Sequence, residues 1–177
     1  NLFWGYSYNS WFDGLEEIDI PETVTTIGEY AFNNCKNLTT VTGMKNVTKI
    51  GDNAFYNCSN LVNINLPENL AEIGSYAFRG CSQLKSISIP DTLKRLGTDI
   101  FSGCTGLATV EIPDDFINIP SDTFMNCSSL KEIKLPASLK TINSNAFNGS
   151  GLTEIIIPDG VTSIGSNAFQ NCTSLAS

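Results

Sequence analysis

The cysteines of this sequence are the residues with the widest chemical choice, because a thiol can be a nucleophile, a metal ligand or half of a disulfide. A zinc site would need close pairs of ligands, and no two cysteines lie within four residues of each other. A catalytic thiol would need a base, and the sequence contains no histidine. We therefore predict reduced, buried, structural cysteines and keep a disulfide between neighbouring repeats as the alternative. The cysteines are Cys35, Cys58, Cys81, Cys104, Cys127 and Cys172.

Paired carboxylates are the second arrangement that could do chemistry. Glu132 and Glu154 fall at equivalent repeat positions, and on adjacent parallel strands they would lie ~5 Å apart, the separation of a retaining glycosidase. Nothing in the sequence encloses them, and Lys131 and Lys134 can neutralise them. The acidic series Glu68, Asp91, Asp114 and Asp115 lacks a calcium-binding motif. We therefore predict no catalytic residue, no metal and no cofactor.

Composition excludes two classes of partner. Eighteen acidic residues outnumber ten basic ones and give a formal charge of −8, whereas a nucleic-acid binder needs clustered lysine and arginine. No apolar run approaches the ~20 residues of a membrane-spanning helix. We predict neither nucleic-acid binding nor membrane insertion.

The cysteine spacing belongs to a repeat, because Cys35 and Cys58 lie 23 residues apart, as do Phe32 and Phe55. The shared pattern is L-x-x-I-x-I-P-x-x-V-x-x-I-G-x-x-A-F-x-x-C. Such a period is typical of stacked coils that bury one continuous core. We place the coils at residues 15–37, 38–60, 61–83, 84–106, 107–129, 130–151 and 152–174, followed by a truncated coil at 175–177.

Each coil is predicted to start with a short strand. Leu61, Ile64 and Leu66 would point inward, and Asn63 and Asn65 outward. A proline follows in most coils and ends the strand, because proline cannot donate to a ladder. The second coil has Gly43-Met44 instead, which predicts a local irregularity.

The second half of the coil is predicted to contain one capped helical turn that carries Ala-Phe. Six of the seven residues that precede this turn, Asp52 and Ser75 among them, are good N-caps. An Asn or Gly before each cysteine predicts a left-handed C-cap. A further slot, Gly28, Gly51, Gly74, Gly97, Pro120, Asn143 and Gly165, suggests positive φ or a sharp bend.

The segment "LKSISIPDTLKRLGTDIFSGC" and its copies resemble BspA-like, or treponemal-type, leucine-rich repeats over residues 15–177. The resemblance implies an α/β-type leucine-rich-repeat solenoid, right-handed, with short parallel strands and one-turn helices in about seven 23-residue coils. It also implies an extracellular or cell-surface protein, associated with adhesion to host matrix proteins, other cells or surfaces. The family has no shared catalytic residues.

The two ends of the chain differ from the repeat. We predict that residues 1–14 form a degenerate coil whose aromatic side chains cap the first full coil. The alternative is a ligand platform for sugars formed by Trp4, Tyr6, Tyr8 and Trp11. Because Ser177 stops inside a predicted strand, we expect the parent protein to continue or another chain to cover this end.

The outward positions of the first strands form the candidate partner-binding face. We expect it to bind a protein partner, a host matrix or other cell-surface protein, as part of a non-catalytic recognition or adhesion module. The alternatives are a carbohydrate-binding or accessory domain of a larger secreted glycan-active protein, and a structural spacer. Glu111 and Lys134 are predicted to form a cross-strand ion pair. The face comprises Glu17, Asp19, Thr40, Thr42, Asn63, Asn65, Ser86, Ser88, Thr109, Glu111, Glu132, Lys134, Glu154 and Ile156.

Overall fold

Alternating apolar residues at the start of the first five coils form a first ladder of short parallel strands in the computed structural model, which describes residues 14–176. Ile18 pairs with Val41, one 23-residue repeat further along the chain, so like residues stack on like. The strands of this ladder are β1 (Glu17–Asp19), β3 (Thr40–Thr42), β5 (Asn63–Ile64), β7 (Ser86–Ser88) and β9 (Thr109–Glu111).

A second ladder is built from the second extended run of each coil. Its strands pair in two parallel groups, one in the first four coils and one in the last three. The interruption coincides with Pro120, since proline lacks the N–H that Gly97 and Asn143 donate to the preceding coil. The strands are β2 (Thr26–Ile27), β4 (Lys49–Ile50), β6 (Glu72–Ile73), β8 (Arg95–Leu96), β10 (Asn118–Ile119), β11 (Thr141–Ile142) and β12 (Ser163–Ile164).

The core between the ladders is organised around a stack of phenylalanine rings. Consecutive rings have centroids 5.1 to 5.8 Å apart and lie nearly parallel. Leucines from the start of the coils and isoleucines from both ladders fill the space around them, and in the middle coils they are almost fully buried. The predicted solenoid of stacked coils is therefore confirmed. The stack comprises Phe32, Phe55, Phe78, Phe101, Phe124, Phe147 and Phe169.

The segments that carry these phenylalanines are hydrogen-bonded turns and not the one-turn α-helices that the sequence pattern predicts. In the second coil Asn53 has φ of 55°, which no helix tolerates. The N–H of Phe55 donates to Ala77 O of the next coil at 2.8 Å, whereas the N–H of Cys58 donates back to Phe55 O at 3.2 Å. The turn is thus shared between its own coil and the next. Among residues 14–176 the only helix is a 3-10 helix, Met44–Asn46.

The residue before each cysteine adopts the left-handed conformation that the sequence predicts. Asn57 has φ of 56° and Gly80 has φ of 75°. Asn tolerates this region better than other residues with a side chain, and glycine has no Cβ to clash. The same conformation holds at Asn34, Gly103, Asn126, Gly149 and Asn171.

Glycine at the position of Gly51 and its equivalents is not needed for positive φ, as its residue type suggests, but for another reason. A Cβ on Gly51 would lie 2.6 Å from the backbone nitrogen of Glu29 in the preceding coil, so close packing between coils requires glycine. The predicted N-caps also act between coils. Asp52 Oδ1 accepts from the Ser75 N–H at 2.8 Å, and Ser75 Oγ accepts from the Thr98 N–H at 3.2 Å.

Side-chain donors at the turn after the first strand connect each coil to the one before it. Thr92 Oγ1 donates to Glu68 O at 2.6 Å and to Leu70 O at 2.9 Å. Ser138 Oγ makes the same pair of bonds two coils further along, to Asp114 O at 2.8 Å and Phe116 O at 2.6 Å. The intervening coil has Asp115 at this position, and an ionised carboxylate has no proton to donate.

Candidate functional site

The strand face, defined as the outward side chains of the first ladder, is a polar surface over coils two to five, and its strands pair in two groups, β1 with β3 and β5, and β7 with β9. Thr40 pairs with Glu17 on one side and with Asn63 on the other, and Ser86 pairs with Thr109. These side chains are exposed, apart from the half-buried Thr40, while Val41 and Ile64 between them are buried. The ladder therefore holds the polar groups at a fixed spacing of ~4.8 Å.

Two adjoining grooves run along this face. The larger has a volume of about 600 Å³ and is lined by Thr42 to Asn46 and by Asn65 to Asn69. The smaller has a volume of about 350 Å³ and is lined by polar side chains of β5, β7 and β9, among them Asn63, Ser88 and Glu111. Asn65, Leu66 and Glu68 border both grooves.

The larger groove arises from the irregular second coil, as the Gly43-Met44 departure predicts. Gly43 has φ of 74°, and a Cβ there would lie 2.8 Å from the Ile20 nitrogen. The chain then turns through the 3-10 helix in place of the usual proline turn, and Met44 is buried. The altered path puts Lys45 and Asn46 at the groove, two residues that sequence reasoning did not assign to the site.

The grooves bring together only part of the predicted face. They contain Thr42, Asn63, Asn65, Ser86, Ser88, Thr109 and Glu111. The remaining predicted residues lie outside them, namely Glu17, Asp19, Thr40, Glu132, Lys134, Glu154 and Ile156. Sequence reasoning missed Leu66, Glu68 and Asn69, and the signal that could have found them is the loss of the proline in the coil before.

The predicted ion pair between Glu111 and Lys134 does not form. Among residues 14–176 the ion pairs within 4.0 Å are Lys49–Glu72 at 3.0 Å and Arg79–Asp99 at 2.9 Å. The first ladder ends at β9, and residues 131–136 form no strand. Without the ladder, the two side chains are not held at strand spacing.

The aromatic alternative site lies elsewhere in the chain. Trp4, Tyr6, Tyr8 and Trp11 fall outside the described residues, so a sugar platform at the amino-terminal segment stays a prediction.

The cysteines lie inside the core, as predicted. Cys58, Cys81, Cys104 and Cys127 are buried free thiols, Cys172 is a half-buried free thiol, and Cys35 is buried as well. Cys58 Sγ donates to Phe32 O of the preceding coil at 3.1 Å, and Cys104 Sγ to Phe78 O at 3.1 Å, a bond that the sequence did not predict. Burial raises the pKa of Cys104 to about 12 and raises those of Cys58, Cys81 and Cys127 as well. These thiols are therefore protonated at neutral pH and are poor nucleophiles.

Asp99 is a buried carboxylate that lies away from the strand face. Asp99 sits in the left-handed turn position with φ of 56° and pairs with Arg79, whose guanidinium lies 5.6 Å from the Tyr76 ring centroid. Burial raises the pKa of Asp99, the nearby Asp122 carboxylate adds to the rise, and Arg79 opposes it. The pair is structural and lies outside both grooves.

The arrangement suits recognition more than chemistry. The groove residues offer amide, hydroxyl and carboxylate groups that hydrogen-bond a partner, on an open surface. Within residues 14–176 no group of three or more His, Cys, Asp or Glu side chains could hold a metal ion. The helices of that same part of the chain include none with the length and apolarity needed to cross a membrane.

Comparison with protein families gives one match, to a model described as the BspA type leucine rich repeat region, in six copies over residues 6–71 and 48–176. No match was found among curated proteins.

Solved structures with the same fold come from several bacteria. A leucine rich cell surface protein from Faecalibacterium prausnitzii A2-165 is 38% identical, with a TM-score of 0.83, and the match covers 92% of this chain and 46% of that one. A leucine-rich repeat protein from Bacteroides ovatus is 32% identical, with a TM-score of 0.79 and coverage of 92% and 54%. The leucine rich repeat protein of T. pallidum is 32% identical, with a TM-score of 0.85 and coverage of 91% and 78%. The chain thus spans about half the length of the first two structures.

Proposed function

The chain belongs to the BspA type leucine rich repeat family, and from this premise we propose that it is a non-catalytic recognition module of a cell-surface protein, binding a protein partner through the strand face. Family membership and the similarity to a bacterial cell surface protein support the location. The two grooves on the strand face support its use as the binding surface.

The proposal rests on one observation: exposed polar side chains lie at regular spacing over a buried apolar core. Each of coils two to five offers hydroxyl or amide groups at fixed positions, and the backbone beneath them is held by the ladder. A rigid surface loses little conformational entropy when a partner binds. The mixture of Asn, Ser and Thr with Glu68 and Glu111 fits a protein that presents donors and some positive charge.

The test is a binding screen of the purified chain against immobilised fibronectin, laminin, collagen and a glycan array. Any protein that binds is then measured against Ser86→Arg, which puts a long cation into the smaller groove. Ser163→Arg is the matched control, because Ser163 is an exposed strand serine on the second ladder. We expect at least a tenfold loss of affinity for Ser86→Arg and none for Ser163→Arg.

Two results would contradict the proposal. Equal affinity of both variants for the captured protein would remove the strand face as the binding surface. Binding on the glycan array that is lost in Trp11→Ala would instead favour the carbohydrate-binding alternative.

A further inference from the structure

The second ladder carries an unpaired group of cations on an otherwise acidic molecule. Lys94, Arg95 and Lys140 are exposed on coils four and six, and the exposed Ile117 lies on the coil between them with 60% of its surface open to solvent. Among the described residues, none of the three cations has a carboxylate within 4.0 Å, and Glu72 of this ladder pairs with Lys49. We call these four residues the basic patch. Asp91, Asp114 and Asp115 border it at the preceding turn.

The coils beyond the end of the first ladder carry a counterpart of opposite sign. Glu132 and Glu154 are exposed, and the exposed Ile156 lies beside them with 86% of its surface open. Glu111 adds a third carboxylate, and Lys131 and Lys134 are the exposed cations near these carboxylates. We call Glu132, Glu154 and Ile156 the acidic patch.

The two patches are similar in composition and opposite in charge. Each is a large apolar side chain with charged neighbours, and the charges are opposite in sign, so contact would bury the two isoleucines inside a rim of ion pairs. The net charge of −8 opposes association of two copies. At physiological ionic strength the Debye length is about 8 Å, so distant charges are screened while pairs in contact are not.

We infer that two copies of this chain associate head to tail, the basic patch of one copy against the acidic patch of the other. Such a contact is heterologous and leaves one patch of each end molecule free, so further copies can add and form rings or open chains and not only dimers. Each patch spans two or three coils, roughly 10–15 Å at strand spacing, so the contact is small and weak. The inference does not depend on the proposed protein partner.

The experiment is sedimentation velocity of the purified chain at increasing concentration in 0.15 M salt, with two charge-reversed variants. One variant carries Lys94→Glu and Arg95→Glu, and the other carries Glu132→Lys and Glu154→Lys. We expect concentration-dependent association of the wild type, monomers for either variant alone, and association again in an equimolar mixture of the two. Far-UV circular dichroism shows that each variant keeps its fold.

A matched control separates patch chemistry from total charge. Lys36→Glu with Lys85→Glu makes the same change in net charge as Lys94→Glu with Arg95→Glu, at exposed sites outside both patches, and it should associate like the wild type. A wild type that stays monomeric at every concentration would overturn the inference, as would variants that associate unchanged or a mixture that does not. Ser86→Arg should leave self-association intact, so a failure here and a failure of the proposed function can be told apart.

Discussion

Replacing Phe78 with alanine removes a ring from the middle of the phenylalanine stack. Phe78 is fully buried and lies between Phe55, 5.2 Å away, and Phe101, 5.8 Å away, measured between ring centroids. The turn that carries Phe78 is not a helix and does not form all its hydrogen bonds within its own coil. Every second N–H of the turn donates to the next coil instead. The ring is therefore a main link between successive coils.

The expected loss follows from burial and from the two ring contacts. A buried Phe→Ala change costs about 3–5 kcal/mol. Stacked pairs add about 0.5–1.5 kcal/mol each to burial alone, which puts Phe78→Ala near the upper end of that range. Because single domains unfold with about 5–15 kcal/mol, the variant should be severely weakened.

The assay is urea unfolding at 25 °C, followed by far-UV circular dichroism, with the midpoint and the slope compared with the wild type. A shallower slope would mean that the coils on the two sides of the gap unfold separately, as a nearest-neighbour stack allows. Phe169→Ala is the control, because Phe169 is half-buried in the last described coil and stacks on Phe147. If Phe169→Ala cost as much as Phe78→Ala, the ring stack would not be what joins the coils.

Three further predictions test contacts between coils. Asp115→Ser supplies the donor missing from the turn of the fifth coil and should raise stability by about 0.5–1.5 kcal/mol in thermal unfolding, whereas Asp114→Ser should not. Gly51→Ala should lower stability by about 1–3 kcal/mol, because the new Cβ meets backbone, and an unchanged melting temperature would contradict the close packing. Asp99→Asn should stabilise the protein at pH 7. Folding raises the pKa of Asp99, which means that the ionised carboxylate destabilises the folded protein. This loss of stability is fully present above the pKa of Asp99 in the folded state, and it vanishes below the pKa in the unfolded state, near 3.9. The gain should therefore disappear as the pH is lowered through that window, and a gain independent of pH would refute the cause.

The repeat itself was predictable because its period reports contacts between like residues. The 23-residue spacing placed Ile18 against Val41 and Phe55 against Phe78, as observed. The burial of Cys58 followed from the same stacking. Left-handed Asn57 followed from residue type alone, because few side chains tolerate positive φ.

Features that depend on the neighbouring coil were not predictable from local patterns. Gly51 looked like a residue chosen for its backbone freedom, yet it is required by the closeness of Glu29 in the coil before. Asp52 looked like a helix cap, yet it accepts from Ser75 in the coil after. Capping and turn rules consider residues a few positions apart, whereas a solenoid satisfies its polar groups across a full repeat.

The site was partly predictable for the same reason. The outward columns follow from strand alternation, but the larger groove depends on how one irregular coil turns at Gly43. The absence of an ion pair between Glu111 and Lys134 shows that a strand pattern in the sequence can also mislead. The start of the sixth coil keeps this pattern but does not form a strand.

Site-resolved thiol alkylation tests the stacking most directly. The folded chain is treated with iodoacetamide at pH 8.5, and each cysteine is quantified by mass spectrometry against the urea-unfolded chain. Because burial and the raised thiol pKa both slow the reaction, Cys58, Cys81, Cys104 and Cys127 should stay unmodified while the half-buried Cys172 reacts first. Rapid and equal labelling of all the cysteines in the folded chain would contradict a core made of stacked 23-residue coils.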